Sequence, residues 1–195
     1  DDDFARAMRQ YREDGADTLL LDLRNNGGGD VSIMQNIAAY LLRDAEEDRP
    51  VVMTAEYKDG SRQVYRAAGN YYGDYLAGSK VYAVANHNSA SASEALLGAM
   101  ISYGTIGYGD IFLTDTTGMG IASTYGKGIM QVSYYDLLTG DGVTLTTARC
   151  NWPNGTCIHG TGIRSQEGTR LSPAQTFADP GDAELDYIIG PVSYT

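Results

Sequence analysis

A strand followed by consecutive glycines and then a helix is the feature that most constrains the fold of this chain. Residues 17–24 read DTLLLDLR, a continuous apolar run bounded by turn residues, which predicts a strand buried on both faces. The following NNGGGD at 25–30 interrupts regular structure. The segment VSIMQNIAAYLL at 31–42 has apolar residues at helical spacing, and Asp30 is placed as its N-cap. Together the three pieces predict a β-loop-α unit.

The rest of the chain continues this mixture of strands and helices. Further helices are predicted at 4–14, after the serine-rich segment 87–93, and at 182–190. Strands are predicted in a hairpin turning at Asp59-Gly60, at 80–86, and in a pair formed by 126–137 and 143–149, whereas 104–124 is rich in glycine and threonine. With 195 residues, 43% of them hydrophobic, the chain suits a single α/β domain over 1–195.

Charge and hydropathy exclude some partners. The net charge of −11 argues against binding to nucleic acid or to an anionic membrane, because both attract lysine and arginine. The sequence has neither an N-terminal apolar segment nor an apolar run long enough to span a bilayer. The chain starts with DDDF and without methionine, so we expect a fragment or a mature form of a longer protein.

Three serines alternate ahead of the central helix, in the segment NSASASE at 88–94. Ser91 and Glu94 fit the capping-box pattern S-x-x-E, so one interpretation is a well-capped helix. A strand-turn-helix arrangement can also raise a serine to the end of a sheet, where the N–H groups of the helix can stabilise an oxyanion. The motif by itself leaves both interpretations open.

A nucleophilic serine needs a base, and Lys127 is the best candidate. His87 and His159 come without a convincing aspartate partner, and the pattern G-x-S-x-G is absent. Lys127 lies in YGKGIMQ, either as an exposed turn residue or in an apolar site that favours the neutral amine. Gln131, four residues later, could hold that amine in place. The GKG segment lacks the remaining residues of a phosphate-binding loop.

The two cysteines, Cys150 and Cys157, flank NWPNGT. Because Pro-Asn-Gly favours a turn, the pair could face each other across a hairpin and form a short disulfide. The alternative is two buried free thiols. Without clustered histidines or carboxylates the spacing is a poor zinc site, so no metal is predicted.

Four segments, in the same order, resemble the S41 family of serine peptidases, the carboxy-terminal processing (tail-specific) proteases. LLLDLRNNGGG is similar to the family signature D-L-R-x-N-x-G-G, and NSASASE to its nucleophile motif S-A-S-A-S-E. STYGKGIMQ resembles the lysine motif T-[FY]-G-K-G-x-x-Q, and VTLTTARCNWPNGTCIHGTGI resembles the segment that follows it in the family. The four matches cover most of residues 17–163.

This resemblance implies a role for each residue of the motifs. The middle serine, Ser91, corresponds to the nucleophile, and Lys127 corresponds to the general base. Gln131 is expected to orient the lysine, while Ser89 and Ser93 are expected to support the start of the helix. The fold implied is the crotonase-like/ClpP-like ββα superhelix.

The resemblance also implies an oxyanion hole and a substrate class. The expected donors are the N–H of Ala92 and that of Gly28 or Gly29. The family cuts protein substrates near their C-terminus, often after apolar residues, without metal or nucleotide. It usually works in the periplasm, the cell envelope or another exported setting. We therefore expect an exported endopeptidase core that lacks the PDZ domain of many family members.

Two departures from the family pattern bear on these expectations. The segment between Ser91 and Lys127 is longer than usual, and the excess lies around 107–120, which could shield the site or hold the two residues apart. Asp30 stands where an apolar residue is common. The alternative functions are a non-catalytic module that binds peptide tails or small apolar ligands, and a crotonase-type enzyme acting on a thioester.

Overall fold

A computed structural model of the chain describes residues 2–43, 49–69, 71–115, 122–165, 170–172 and 182–193. The helices in these ranges are α1 (Asp2–Glu13), α2 (Val31–Leu41), α3 (Ala92–Ser102) and α4 (Ala183–Ser193). The strands are β1 (Thr18–Asp22), β2 (Val51–Tyr57), β3 (Arg62–Arg66), β4 (Lys80–Ala85), β5 (Ile111–Thr114), β6 (Ile129–Tyr135), β7 (Gly142–Asn151) and β8 (Arg170–Ser172). None of the helices within these ranges is long and apolar enough to cross a membrane.

The strands form two four-stranded sheets of different type. The first sheet has the order β1-β4-β5-β8, and its neighbouring strands are all parallel. The second has the order β3-β2-β7-β6, and its neighbours are all antiparallel. The predicted β2–β3 and β6–β7 pairs are both present, so the mixed α/β class expected from the sequence is confirmed.

The strand predicted to be buried on both faces has apolar packing on both, but it lies at the edge of its sheet and its apolar side chains are half-buried. Among the described residues β1 pairs only with β4, which places it at the edge of the first sheet. Its side chains still alternate between two apolar clusters. Leu19 and Leu21 pack against the main core, and Leu20 packs on the opposite face. All three leucines are consequently half-buried.

The glycine- and threonine-rich segment contains a strand that the sequence did not predict. Residues Ile111–Thr114 form β5, which is fully buried and pairs in parallel with β4. A single 3-10 turn at Tyr108–Asp110 leads into it. The extra length after the central helix therefore adds to the sheet in its described part. Because residues 116–121 lie outside the described ranges, the predicted shielding of the site stays a prediction.

Helix α3 lies at the centre of the core. It packs against α2 and against β2 of the second sheet, and Leu97, Ala99 and Met100 are completely buried. A helix with apolar residues on most of its surface is typical of such a central position. On the far face of the first sheet, Ile188 of α4 packs against Tyr82, Val84 and Phe112.

A partly buried ion-pair cluster fixes the start of α4 beside the end of β1. The guanidinium of Arg24 contacts the carboxylates of Asp22, Asp182 and Glu184 at 2.6–2.8 Å. Arg24 lowers the pKa of the Asp182 carboxyl to about 2. The cluster therefore ties α4 to the residue that precedes the glycine-rich loop.

The parallel pairing of β1 and β4 determines where a site can form. Their five paired residues run in register from Thr18–Lys80 to Asp22–Val84, so both strands end at the same edge of the sheet. The glycine-rich loop follows β1 and the serine-rich segment follows β4, which brings the two motifs together. Ligands in open α/β sheets commonly bind at the carboxyl ends of parallel strands.

Candidate active site

Ser91 occupies a strained position immediately before α3. Its φ is 58° and its ψ is −116°, a combination that residues with a Cβ rarely adopt and that costs about 1–3 kcal/mol. The Ser91 hydroxyl makes no cap hydrogen bond to the helix. Ser91 is half-buried and lines a cavity of about 220 Å³. The capping box with Glu94 is nevertheless present, because Glu94 binds the N–H of Ser91, so the capped helix start and the site interpretation are compatible.

The flanking serines hold the glycine-rich loop against the start of the helix. The hydroxyl of Ser89 accepts from the N–H of Asn86 at 3.0 Å and donates to the carbonyl of Leu23 at 2.7 Å. The hydroxyl of Ser93 donates to the carbonyl of Asn26 at 3.1 Å. These contacts explain why the segment contains serines on both sides of Ser91, because Ser89 joins the residues after β4, and Ser93 the first turn of α3, to the residues after β1.

A buried carboxylate links the serine to the lysine motif. Glu94 is 0% exposed, and its Oε2 accepts from the N–H groups of Ser91 at 3.0 Å and of Lys127 at 2.8 Å. Its Oε1 accepts from the N–H of Gly126 at 2.7 Å and from the hydroxyl of Thr124 at 2.5 Å. One side chain thus fixes the distance between the backbones of the two candidate catalytic residues.

The glycines around Lys127 are needed for close packing. A Cβ on Gly126 would lie 2.7 Å from the nitrogen of Gly162, and one on Gly128 would lie 2.9 Å from the nitrogen of His159. Real Cβ atoms essentially never approach so closely. The CIHGTG segment therefore packs directly on the GKG segment, and glycines on both sides of Lys127 allow this close contact.

Ser91, Lys127 and Gln131 line the same cavity. Lys127 is half-buried there, and Gln131 lies on β6 next to a register shift between β6 and β7. Among the described residues no hydrogen bond joins Gln131 to Lys127, so the orienting role of Gln131 stays a prediction. Neither His87 nor His159 lines the cavity, and both are exposed.

Of the backbone donors expected for an oxyanion, Ala92 and Gly29 line this cavity, whereas Gly28 does not. A Cβ on Gly28 would be 2.7 Å from the nitrogen of Ala92, so the glycine-rich loop touches the first residue of α3. The N–H of Gly28 is already donated to Oδ1 of Asn26 at 3.0 Å. Gly29, with φ of +154°, lines the cavity together with Ala92, and its N–H has no acceptor among the described residues. Which of the two glycines donates to an oxyanion stays a prediction.

The inner wall of the cavity is apolar. Met53 from β2, Ala95 from α3, Trp152 and Ile158 contribute to it. The indole of Trp152 occupies the space where a Cβ on Gly98 would lie. Sequence reasoning missed Trp152 and Met53 as site residues. The one available signal was Gly98, because glycine inside a buried helix commonly marks a close contact.

Both cysteines are free thiols in the structure, so the predicted disulfide is not formed there. Cys150 lines the cavity, and burial raises the pKa of its thiol to about 11, with a smaller contribution from the nearby Cys157. Among the described residues, no group of three or more His, Cys, Asp and Glu side chains is arranged to hold a metal ion.

Comparison with known proteins identifies the family. The sequence model of peptidase family S41 matches residues 1–167. A carboxyl-terminal-processing protease from Synechocystis is 31% identical over 200 residues, which cover 98% of this chain and 41% of that protein. A chloroplastic C-terminal processing peptidase from Tetradesmus obliquus is 32% identical over 160 residues, covering 81% of this chain and 30% of that protein.

Solved structures agree with this identification. The photosystem II D1 C-terminal processing protease is 30% identical, with a TM-score of 0.63 over 86% of this chain and 38% of that one. A putative S41 protease from Bacteroides fragilis is 17% identical and has a similar fold, with a TM-score of 0.70 over 98% of this chain and 49% of that one. The chain thus spans less than half the length of these proteins. The match over residues 1–167 and these relatives show that the chain belongs to peptidase family S41.

Proposed function

We propose that this chain is the catalytic core of a serine endopeptidase that processes protein substrates near their C-terminus, with Ser91 as nucleophile and Lys127 as general base. The observation that carries the proposal is the shared cavity of Ser91 and Lys127, whose backbones are joined through the buried carboxylate of Glu94. The strained backbone of Ser91 supports the same assignment.

These positions support the following reaction. The neutral amine of Lys127 takes the proton from the Ser91 hydroxyl as Oγ attacks a peptide carbonyl. The protonated amine then gives that proton to the leaving nitrogen, and an ester to Ser91 remains. Water, deprotonated by the amine of Lys127, hydrolyses this ester and restores the serine. Gln131, on the same cavity wall, is assigned the role of orienting the amine.

The developing oxyanion is assigned to two backbone donors. Ala92 is the first residue of α3, where a helix leaves its N–H groups without intrahelical acceptors. Gly29 supplies the second N–H, since that of Gly28 is bound to Asn26. Backbone donors fixed by a helix and a tight loop need little reorganisation when charge develops, which is the property that makes an oxyanion hole effective.

The cavity and the relatives support the proposed substrate class. The wall formed by Met53, Trp152 and Ile158 favours an apolar side chain next to the cleaved bond. The relatives are named for carboxyl-terminal processing, and we extend that preference to this chain. We also propose the crotonase-like ββα superhelix as the core fold, and an exported location as in the family.

Cleavage of an unfolded protein with an apolar C-terminus, mapped by mass spectrometry, tests this function. We expect wild type and the control Lys58→Ala to cut, because Lys58 is an exposed residue of the β2–β3 turn. Ser91→Ala and Lys127→Ala should lose activity by roughly 100-fold or more. Folded wild type that binds the substrate without cutting would contradict the proposal and favour the non-catalytic binding module. Hydrolysis of a thioester instead of a peptide would favour the crotonase-type enzyme.

A further inference from the structure

A second cavity lies across the glycine-rich loop from the first. Its volume is about 160 Å³, and its walls come from α2, α3 and the loop after β1. The side chains that line it are mostly apolar, among them Leu23, Ile33, Met34, Ile37 and Leu96. An engineered protein cavity of about 150 Å³ holds benzene. The space is therefore sufficient for one leucine or phenylalanine side chain.

The two cavities meet at the proposed oxyanion donors. Gly29 and Ala92 line both of them, whereas Ser91 and Lys127 line only the first. A scissile carbonyl bound to those two N–H groups would thus lie between the cavities. In an extended peptide, successive side chains point to opposite sides of the backbone. When the side chain on one side of the cleaved bond enters the first cavity, its neighbour is directed to the second.

We infer that the second cavity is a substrate subsite, which takes an apolar side chain from the residue across the cleaved bond from the one held beside Trp152. This inference rests on the proposed peptidase function and adds a specificity determinant to it. Ile33, Ile37 and Leu96 surround an open space next to Ala92. Neither the family motifs nor the capping pattern predicts this space.

The rim of the second cavity excludes acidic side chains. Asp30 lines it and caps α2, accepting from the N–H of Ser32 at 2.6 Å and from the Ser32 hydroxyl at 2.7 Å. These hydrogen bonds lower the pKa of the Asp30 carboxyl, so the rim carries a negative charge at neutral pH. We therefore expect leucine or phenylalanine to be accepted at this substrate position and aspartate or glutamate to be rejected.

Ile33 offers a substitution that changes the subsite without opening the core. Its side chain is 42% exposed, and it lies in the first turn of α2, where an acidic residue is favourable to the helix. Ile33→Asp therefore replaces apolar lining with charge while the fold is retained. Val64→Asp is the matched control, because Val64 is 48% exposed on β3 and lines neither cavity.

The test uses peptide pairs that differ only by leucine or alanine at each residue flanking the cleaved bond. At one of the two positions, wild type should prefer leucine by roughly 10- to 100-fold in kcat/KM, the range for a hydrophobic pocket that gains or loses methylene groups. Ile33→Asp should reduce that preference to about threefold or less, whereas Val64→Asp should retain it. Preference at the other flanking position should be the same in all three proteins.

Binding of the same peptides to Ser91→Ala separates this inference from the peptidase proposal. Trp152 is the single tryptophan and lines the first cavity, so its fluorescence reports occupancy without any chemistry. If wild type cuts and Ile33→Asp leaves every leucine preference unchanged, the subsite is wrong and the peptidase stands. If nothing is cut but the leucine peptide binds more tightly, and Ile33→Asp abolishes that difference, the subsite stands and the peptidase fails. Equal binding of both peptides would overturn the subsite.

Discussion

Replacement of Glu94 by glutamine removes the charge that connects Ser91 to the lysine loop while the shape is kept. Each carboxylate oxygen accepts two hydrogen bonds, one pair from Ser91 and Lys127 and the other from Gly126 and Thr124. Whichever way the amide is turned, its NH2 group faces two donors. Two bonds to a charged acceptor are lost at about 1.5–3 kcal/mol each, so we expect about 3–6 kcal/mol of destabilisation.

Urea unfolding followed by Trp152 fluorescence measures this loss, and labelling of Ser91 by a phosphonate probe measures the catalytic consequence. At urea concentrations where the variant is still folded, the rate of labelling should fall by at least about tenfold. A displacement of Ser91 relative to Lys127 that raises the activation barrier by about 1.4 kcal/mol already changes the rate by that factor. Glu184→Gln is the matched control, since Glu184 is also buried but binds Arg24 and Thr114. A loss below about 1 kcal/mol, with labelling as fast as in wild type, would refute the positioning role of Glu94.

Three further perturbations test other parts of the account. Gly98→Ala should displace the indole of Trp152, which would lower the free energy of unfolding by about 1–3 kcal/mol through overpacking and shift the tryptophan emission. Unchanged stability and emission would contradict the contact between Gly98 and Trp152. Arg24 lowers the pKa of the Asp182 carboxyl to about 2, so the ion pair stabilises the fold at pH values above the ordinary pKa range of a carboxyl group. Asp182→Asn should therefore lower the midpoint of thermal unfolding at pH 7. The difference from wild type should narrow as pH falls from about 4 toward 2, and a difference that stays constant with pH would exclude this origin. Burial raises the pKa of the Cys150 thiol to about 11, so this thiol should react slowly with iodoacetamide at pH 8 without reductant. Rapid alkylation would contradict the burial of Cys150, and a mass increase from alkylation that appears only after reduction would show a disulfide.

Much of the fold could be predicted because its elements have strong local patterns. The helices at α1, α2 and α3 and the two hairpins each carry a periodicity or a turn signal of their own. β5 has neither, since Ile111–Thr114 is four residues long within a glycine- and threonine-rich segment and becomes a strand only by pairing with β4. The edge position of β1 was likewise hidden, because an apolar run does not tell how many neighbours a strand has.

The candidate site shows a similar division. The motifs predicted that Ser91 and Lys127 act together, and the capping pattern predicted that Glu94 would reach back to Ser91. The remaining hydrogen bonds of Glu94 depend on how the lysine loop packs against α3, and nothing local in the sequence encodes that contact. The proposed choice of Gly29 over Gly28 depends in the same way on the hydrogen bond that the N–H of Gly28 donates to Oδ1 of Asn26.

The central claim is that Lys127 activates Ser91, and the rate of covalent labelling tests it most directly. Wild type, Ser91→Ala, Lys127→Ala and Lys58→Ala would be treated with a phosphonate probe from pH 6 to pH 10, and the modified residue would be identified by peptide mass spectrometry. We predict labelling at Ser91 in wild type and Lys58→Ala, and a loss of roughly 100-fold in Lys127→Ala. Labelling of Lys127→Ala at the wild-type rate, or modification of a different residue, would contradict the account.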